Sequence, residues 1–248
     1  MKTTATLVMS LVALMMVSVS QGAIVSLSET GTNYMPAAAV VDGFAEGSII
    51  SPDRTHTIKR AMQGDASVDS RLLFGYDPFN SSNPAWPTGA SACQWASYLD
   101  GGQQVQIRWN NRSVADYTLT INVDTPSYAY VLMDNRILDN VNTNDPDLSG
   151  ALTWLADWTR METGICPDGG NTKDWLGIDE SNNGPLNQAY AVYRKRFGAS
   201  VTTGAQNQSA NMYTVIVQQV PEPTTFVLLG CGAVGLVLVG RRYSRKSA

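Results

Sequence analysis

The sequence predicts an all-β protein: a single β-sandwich of jelly-roll type over residues 23–219. Three observations carry this. Apolar and polar residues alternate with period two in run after run. Clusters of Gly, Asn, Asp and Pro punctuate those runs, and long helical periodicity is missing between them. Alternation over four to eight residues is the pattern of a half-buried strand. About ten such short runs with turn signals between them suit a sandwich better than any helical layer architecture.

Taken in chain order, Ile24–Leu27, Ser48–Ile50, Thr55–Ala61 and Leu72–Phe74 are short strand candidates. Residues 77–92 hold several prolines and read as irregular. In Gln104–Trp109 the residues Val105, Ile107 and Trp109 fall on one face. Tyr117–Val123 alternates more cleanly still, Pro126 interrupts, and Tyr128–Met133 follows. Residues 140–147 and 166–172 are loops. Leu148–Met161 is the one segment with helical spacing, with Ser149 as its cap and Leu152, Leu155, Trp158 and Met161 on one side, although Trp154 and Trp158 suit a strand almost as well. Ser181–Pro185 is a turn, and Ala189–Phe197 and Met212–Gln218 complete the strands. Trp109 and Trp175 are expected in the core.

The two ends differ from everything between them. Residues 1–22 begin with one early cation, Lys2, run apolar from Leu7 to Val19, and end in small residues. That is the layout of a secretory signal peptide. Residues 220–248 open on Pro221-Glu222-Pro223, continue through 14 uncharged residues from Phe226 to Val239, and close on Arg241, Arg242, Arg245 and Lys246. A membrane-spanning helix usually needs about 20 apolar residues, so this segment is a short span. A terminal cation cluster stays on the cytoplasmic side, which places the bulk of the chain across the membrane.

The order Pro-Glu-Pro, short glycine-bearing apolar segment, arginine cluster resembles the PEP-CTERM sorting signal. The resemblance covers residues 220–246 only, on Pro221, Glu222, Pro223, Arg241 and Arg242. It implies recognition by a membrane-embedded exosortase and delivery to the cell surface, the outer membrane or an exopolysaccharide matrix. It also implies permanent or transient anchoring in the inner membrane by the C-terminal helix. It implies nothing about the domain in front.

The charge of that domain excludes one class of partner. Removing the ends takes five of the 17 cations and one of the 21 acids, leaving 12 against 20, a net charge of −8. Nucleic-acid binding needs clustered Lys and Arg, so none is expected. In an exported chain Cys93 and Cys166 are expected to form a disulfide. A loop of that length is worth roughly 4 kcal/mol on the chain-entropy model.

Candidate chemistry is sparse. The one histidine, His56, reads as an exposed strand residue. It excludes a His-rich zinc site, and no nucleophile elbow accompanies it. Asp179 and Glu180 are the obvious carboxylates, but neighbours on a strand point to opposite faces and cannot serve one bond together. Either would need a distant partner such as Asp134 or Asp157. The stretch 139–147 is dense in hard oxygen ligands. Asp139, Asn142, Asn144, Asp145 and Asp147 form a candidate Ca²⁺ site, although the Gly and Glu of an EF-hand are missing. Trp86, in a proline-flanked loop, offers a ring for stacking on a sugar, with Asp179 and Glu180 as polar companions. The resulting expectation is an exported, non-catalytic surface or matrix protein, with glycan binding as its sub-case. The alternative is a polysaccharide-active hydrolase or lyase on a lectin-like sandwich.

Overall fold

The computed structural model describes residues 24–31, 37–60, 94–137, 145–165, 173–180, 188–208 and 210–220. The described chain is an all-β sandwich, as expected. Its strands are β1 (Ile24–Thr30), β2 (Ala39–Val41), β3 (Thr57–Arg60), β4 (Gln103–Gln106), β5 (Thr118–Val123), β6 (Ser127–Asp134), β7 (Thr159–Arg160), β8 (Trp175–Asp179), β9 (Gln188–Phe197), β10 (Ser200–Thr203) and β11 (Thr214–Gln219). Residues 21–219 form one compact unit. Among the described residues no helix is long and apolar enough to cross a membrane. The expected signal peptide and all of the C-terminal segment after Val220 lie outside the described residues.

The sandwich is uneven. The smaller sheet has three strands in the order β1-β5-β10, all antiparallel. Its outer face is polar, with hydroxyl pairs Thr30–Thr118 at 2.6 Å and Thr120–Thr202 at 2.9 Å across the strands. Its inner face carries Leu119, Ile121, Val123 and Val201, all buried. These pack on Ala129, Val131, Met133, Ala191, Val215 and Val217 of the larger sheet. Alternation decides the assignment: in β5 the odd residues are buried and the even ones partly exposed.

The larger sheet has eight strands, in the order β2-β4-β11-β6-β9-β8-β3 with β7 paired to β9. Its central strands β6, β8, β9 and β11 are buried on both faces over most of their length, so they read as continuous apolar runs rather than alternating ones. The second face carries Tyr130, Leu132, Leu176, Ile178, Val192 and Ile216 around a core of their own. Phe44, Ile50, Ile58 and Leu99 close that core from the other side.

The second core exists because the sheet curls. At one edge β3 continues into a hairpin, with Ile50 N–H donating to the His56 carbonyl at 2.9 Å and Ile58 N–H to Ser48 at 2.9 Å. The Ile49 carbonyl then accepts the side-chain amides of Gln104 and Gln106, each at 2.8 Å. Those glutamines sit on β4, near the opposite edge, so side chains stitch together what the backbone ladder leaves apart. The curl encloses an apolar interior whose fully buried Ile and Leu side chains each contribute about 1.5–3 kcal/mol.

Two expectations are corrected. The helix expected over 148–161 is a short 3-10 turn at Gly150–Leu155 followed by β7. Leu152 and Leu155 are buried. A spacing of three suits a 3-10 turn, where i and i+3 eclipse. Trp175 is buried as expected, at 3% exposure. Trp109 is only half-buried, because β4 stops at Gln106 and the chain turns into a 3-10 segment at Trp109–Ser113.

Candidate functional site

One end of the curled sheet is polar. The register shows why: Asp134 lies opposite Tyr190, Ile178 opposite Gln188, Thr57 opposite Asp179, and Leu132 opposite Thr214. The ends of β6 and β8 and the starts of β3, β9 and β11 therefore meet at the same place. Ends of strands carry loops, and loops on a rigid sheet are where polar side chains can converge.

Asp134 is the centre of that mouth. Its carboxylate is fully buried and accepts four hydrogen bonds: from Arg136 N at 3.0 Å, Nε at 3.0 Å and Nη2 at 2.6 Å, and from Asn211 N at 3.0 Å. Arg136 also reaches Glu180 Oε1 at 3.6 Å, and Asn211 Nδ2 donates to the same oxygen at 2.8 Å. The four side chains thus form one connected network. Burial works against the Arg136 charge, but the Asp134 hydrogen bond and the two carboxylates outweigh it and raise its pKa. The Tyr190 hydroxyl donates to the Met212 carbonyl at 3.1 Å. Complete burial, then the nearby Asp134 charge, push its pKa well above the usual tyrosine value.

Two acceptors in this mouth have no hydrogen-bond partner: Asn211 Oδ1 and Gln188 Oε1, on side chains of residues 1% and 8% exposed. A buried polar group left unpaired costs about 1–3 kcal/mol. Buried polar groups are ordinarily paired, so each of these two acceptors calls for a donor.

The rim is built by two turns bolted together. Ser51 Oγ donates to the Ile107 carbonyl at 2.8 Å, and Asp53 Oδ1 accepts the Trp109 N–H at 3.2 Å. Burial raises the Asp53 pKa, but the bonds from Ser51 and Trp109 lower it further, so the net shift is downward. The His56 ring meets Trp109 edge-on at 5.0 Å. Burial, against the opposing pull of Glu180, holds its pKa below the usual 6.5. Folding therefore favours neutral His56. The associated stability is complete above about pH 6.5 and declines as pH falls below it, because the unfolded chain takes up the extra proton. His56→Phe is expected to flatten that slope, read as the difference in urea midpoint between about pH 7.5 and 5.5.

The residues singled out by the sequence part company here. Glu180 lies in the mouth. Asp179 does not: Leu176 and Ile178 point into the second core, so Asp179 faces the other way, fully buried and paired with Lys59 Nζ at 2.8 Å. Asp145 is gripped by two cations, Arg160 at 2.8 Å and Lys173 at 2.6 Å. Asp147 accepts both the N–H and the hydroxyl of Ser149, each at 2.9 Å. Among the described residues no group of three or more His, Cys, Asp or Glu is placed to hold a metal ion. Asp139, Asn142, Asn144 and Trp86 lie outside the described residues, as do Cys93, Cys166, Pro221, Glu222, Pro223, Arg241 and Arg242.

The residues flanking the two cysteines are joined, Gln94 N–H donating to the Ile165 carbonyl at 2.7 Å. Peptide mapping without reductant is expected to recover the Cys93 and Cys166 peptides linked. Two separately alkylated peptides would contradict the bridge.

Sequence reasoning missed Arg136, Asn211 and Gln188. No spacing marks them, since Asn211 is 77 residues from Asp134 and meets it only through the β6–β11 pairing.

Comparison with known proteins bears on the tail and little else. The PEP-CTERM protein-sorting motif matches residues 219–245. No curated protein matches the chain. Among solved structures, a β-glucuronidase from glycoside hydrolase family 2 superposes with a TM-score of 0.44 at 13% identity, over 78% of this chain and 14% of the enzyme. A GH138 enzyme targeting pectin rhamnogalacturonan II superposes with a TM-score of 0.37 at 8% identity, over 82% of this chain and 18% of that one. The chain thus spans less than a fifth of either enzyme. Likenesses this loose say nothing of chemistry.

Proposed function

We propose that this chain, which carries the PEP-CTERM sorting motif and is therefore an exported substrate of exosortase, is a non-catalytic module of the cell surface or exopolysaccharide matrix that holds a glycan at the polar mouth of its curled sheet. The observation that carries the reading is the pair of buried, unpartnered acceptors, Asn211 Oδ1 and Gln188 Oε1, beside the Arg136–Glu180 pair. Sugar hydroxyls donate to amide oxygens and accept from guanidinium groups, so a mouth with both is suited to them. A few convergent polar groups at the end of an apolar interior is the usual composition of a small-ligand site.

The same network speaks against the hydrolase or lyase reading. Glycoside hydrolysis by the usual route needs one carboxyl group that carries a proton and a second about 5–9 Å away. Both oxygens of Asp134 are already engaged by four donors from Arg136 and Asn211. Glu180 is engaged by Asn211 and Arg136, and Asp179 lies on the other face of β8 with Lys59.

Affinity electrophoresis of the full chain through gels containing the host's own exopolysaccharide tests this. Wild type is expected to be retarded, and Asn211→Leu to lose about tenfold in apparent affinity, the worth of one or two polar contacts. Retardation accompanied by shortened polymer would establish the enzyme instead. Free migration of wild type would remove glycan binding.

A further inference from the structure

Six of the eleven described lysines and arginines, Lys59, Arg60, Arg136, Arg160, Lys173 and Lys195, pair with a carboxylate. Arg54 and Arg112 are two of the five that form no such pair among the described residues, in a domain with more acids than cations. Instead both guanidinium groups gather on one indole: Arg112 lies 4.2 Å and Arg54 5.0 Å from the centre of the Trp109 ring. Two like charges at one ring repel: burial first and the Arg54 charge second lower the pKa of Arg112, against the opposing charge of Asp53.

The nitrogens themselves sharpen the point. Arg112 Nε and Nη1 are buried without a hydrogen-bond partner, and so is Nε of the adjacent Arg108. Unpaired buried N–H groups are expensive, and the forked donors of the exposed Arg54, beside them on the same ring, match the oxygens of a carboxylate. Asp53 lies beside both arginines and offsets part of their charge, but its Oδ1 is engaged by Ser51 Oγ and by the Trp109 N–H at 3.2 Å, and it forms no ion pair with either among the described residues. The cluster is also held in place. Arg112's carbonyl accepts the Gln208 N–H at 2.9 Å, and Trp109 is braced by His56.

This cluster stands on the rim of the mouth, where β4 has just ended at Gln106 and the 51–56 turn meets it. We infer that Arg54 and Arg112, stacked on Trp109, form an anion subsite that selects acidic polysaccharide, one whose sugars carry carboxylate groups, over neutral polysaccharide. The inference rests on the glycan reading of the mouth and names its substrate class. The rim arginines take the uronate carboxylate, while the amides of the mouth take hydroxyls of the same chain. Nucleic acid is disfavoured because the subsite is a single pair of charges on an acidic domain rather than a tract.

The test is binding of the full chain, in a non-ionic detergent and with a chelator present, to polygalacturonate and to a panel of neutral polysaccharides. The variants are the double substitution Arg54→Gln/Arg112→Gln and the charge-keeping Arg54→Lys/Arg112→Lys. Near-ultraviolet circular dichroism and Tm matching wild type show that each variant is folded. Wild type is expected to bind polygalacturonate at least about tenfold more tightly than any neutral polymer, weakening as salt is raised. The glutamine variant is expected to lose that preference and keep any neutral binding, and the lysine variant to retain part of the preference. A glutamine variant that prefers polygalacturonate as strongly as wild type would overturn the inference and leave the glycan reading standing. So would wild type that binds only neutral polymers. Equal binding to polyglutamate would overturn the commitment to sugar. Wild type that binds no polysaccharide at all would overturn both.

Discussion

Asp134→Ala is expected to destabilise the folded chain by roughly 3–5 kcal/mol, the usual cost of removing one partner from a buried ion pair. The carboxylate is fully buried and takes three donors of Arg136 and the backbone N–H of Asn211. Without it, a largely buried guanidinium keeps only Glu180 among the described carboxylates, at 3.6 Å. The loss also loosens β6 from the start of β11, so it is not confined to one side chain. For a domain of this size each kcal/mol moves Tm by about 2–4 °C, which gives a fall of roughly 6–20 °C. Asp134→Asn keeps the shape and loses the charge, and it is expected to fall between wild type and alanine. Thermal unfolding followed by circular dichroism checks both. A shift under about 2 °C in the alanine variant would show that the network does not hold the mouth together.

Arg160→Met is expected to cost a similar roughly 3–5 kcal/mol by the same reasoning, at a distance from the mouth. The Arg160 side chain is 12% exposed and pairs with Asp145 at 2.8 Å. Its Nη1 donates to three carbonyls: Asp174 at 2.8 Å, Met161 at 3.0 Å and Val192 at 3.1 Å. Its guanidinium also lies 4.6 Å from the centre of the Trp175 ring. One side chain thereby joins β7, β8 and β9. Methionine fills the space but removes the side-chain donor to the Asp174 carbonyl, while the Met161 and Val192 carbonyls keep their backbone donors, and it leaves Asp145 with Lys173 alone among the described cations. Binding at the mouth, measured on the folded fraction, is expected to be unchanged. Asn211→Leu is expected to show the reverse, a loss of binding that exceeds its loss of stability.

The strands were legible to the degree that one face of each is wet. β5 alternates cleanly because its outer face meets solvent. β6, β9 and β11 read as strands on the same alternation, although burial on both faces blurs it. β2, β7 and β10 are two to four residues long, too short for a period to show. Trp109 misled because its parity with Val105 and Ile107 is real only while the strand lasts, and the strand ends three residues earlier.

The site was much less legible than the sheet. Glu180 was named for being an acid next to another acid, yet what places it in the mouth is Asn211, 31 residues away, and Arg136. Asp179 and Glu180 are adjacent in sequence and separated in role, because successive side chains on a strand go to opposite faces. The arginines on Trp109 come from two turns that the Ser51–Ile107 and Asp53–Trp109 bonds bring together. Such a constellation is a product of register, and no local pattern encodes register across fifty residues or more. The sorting signal was legible for the opposite reason: it is read as a linear segment.

The measurement that tests the central claim most directly is hydrogen–deuterium exchange of the full chain with and without acidic polysaccharide. The account predicts slowed exchange in the 53–56 and 108–113 turns and around Asn135, Arg136 and Asn211, with the three-stranded sheet unchanged. Protection confined to the outer face of that sheet, or none anywhere at saturating polymer, would contradict a glycan site at the mouth.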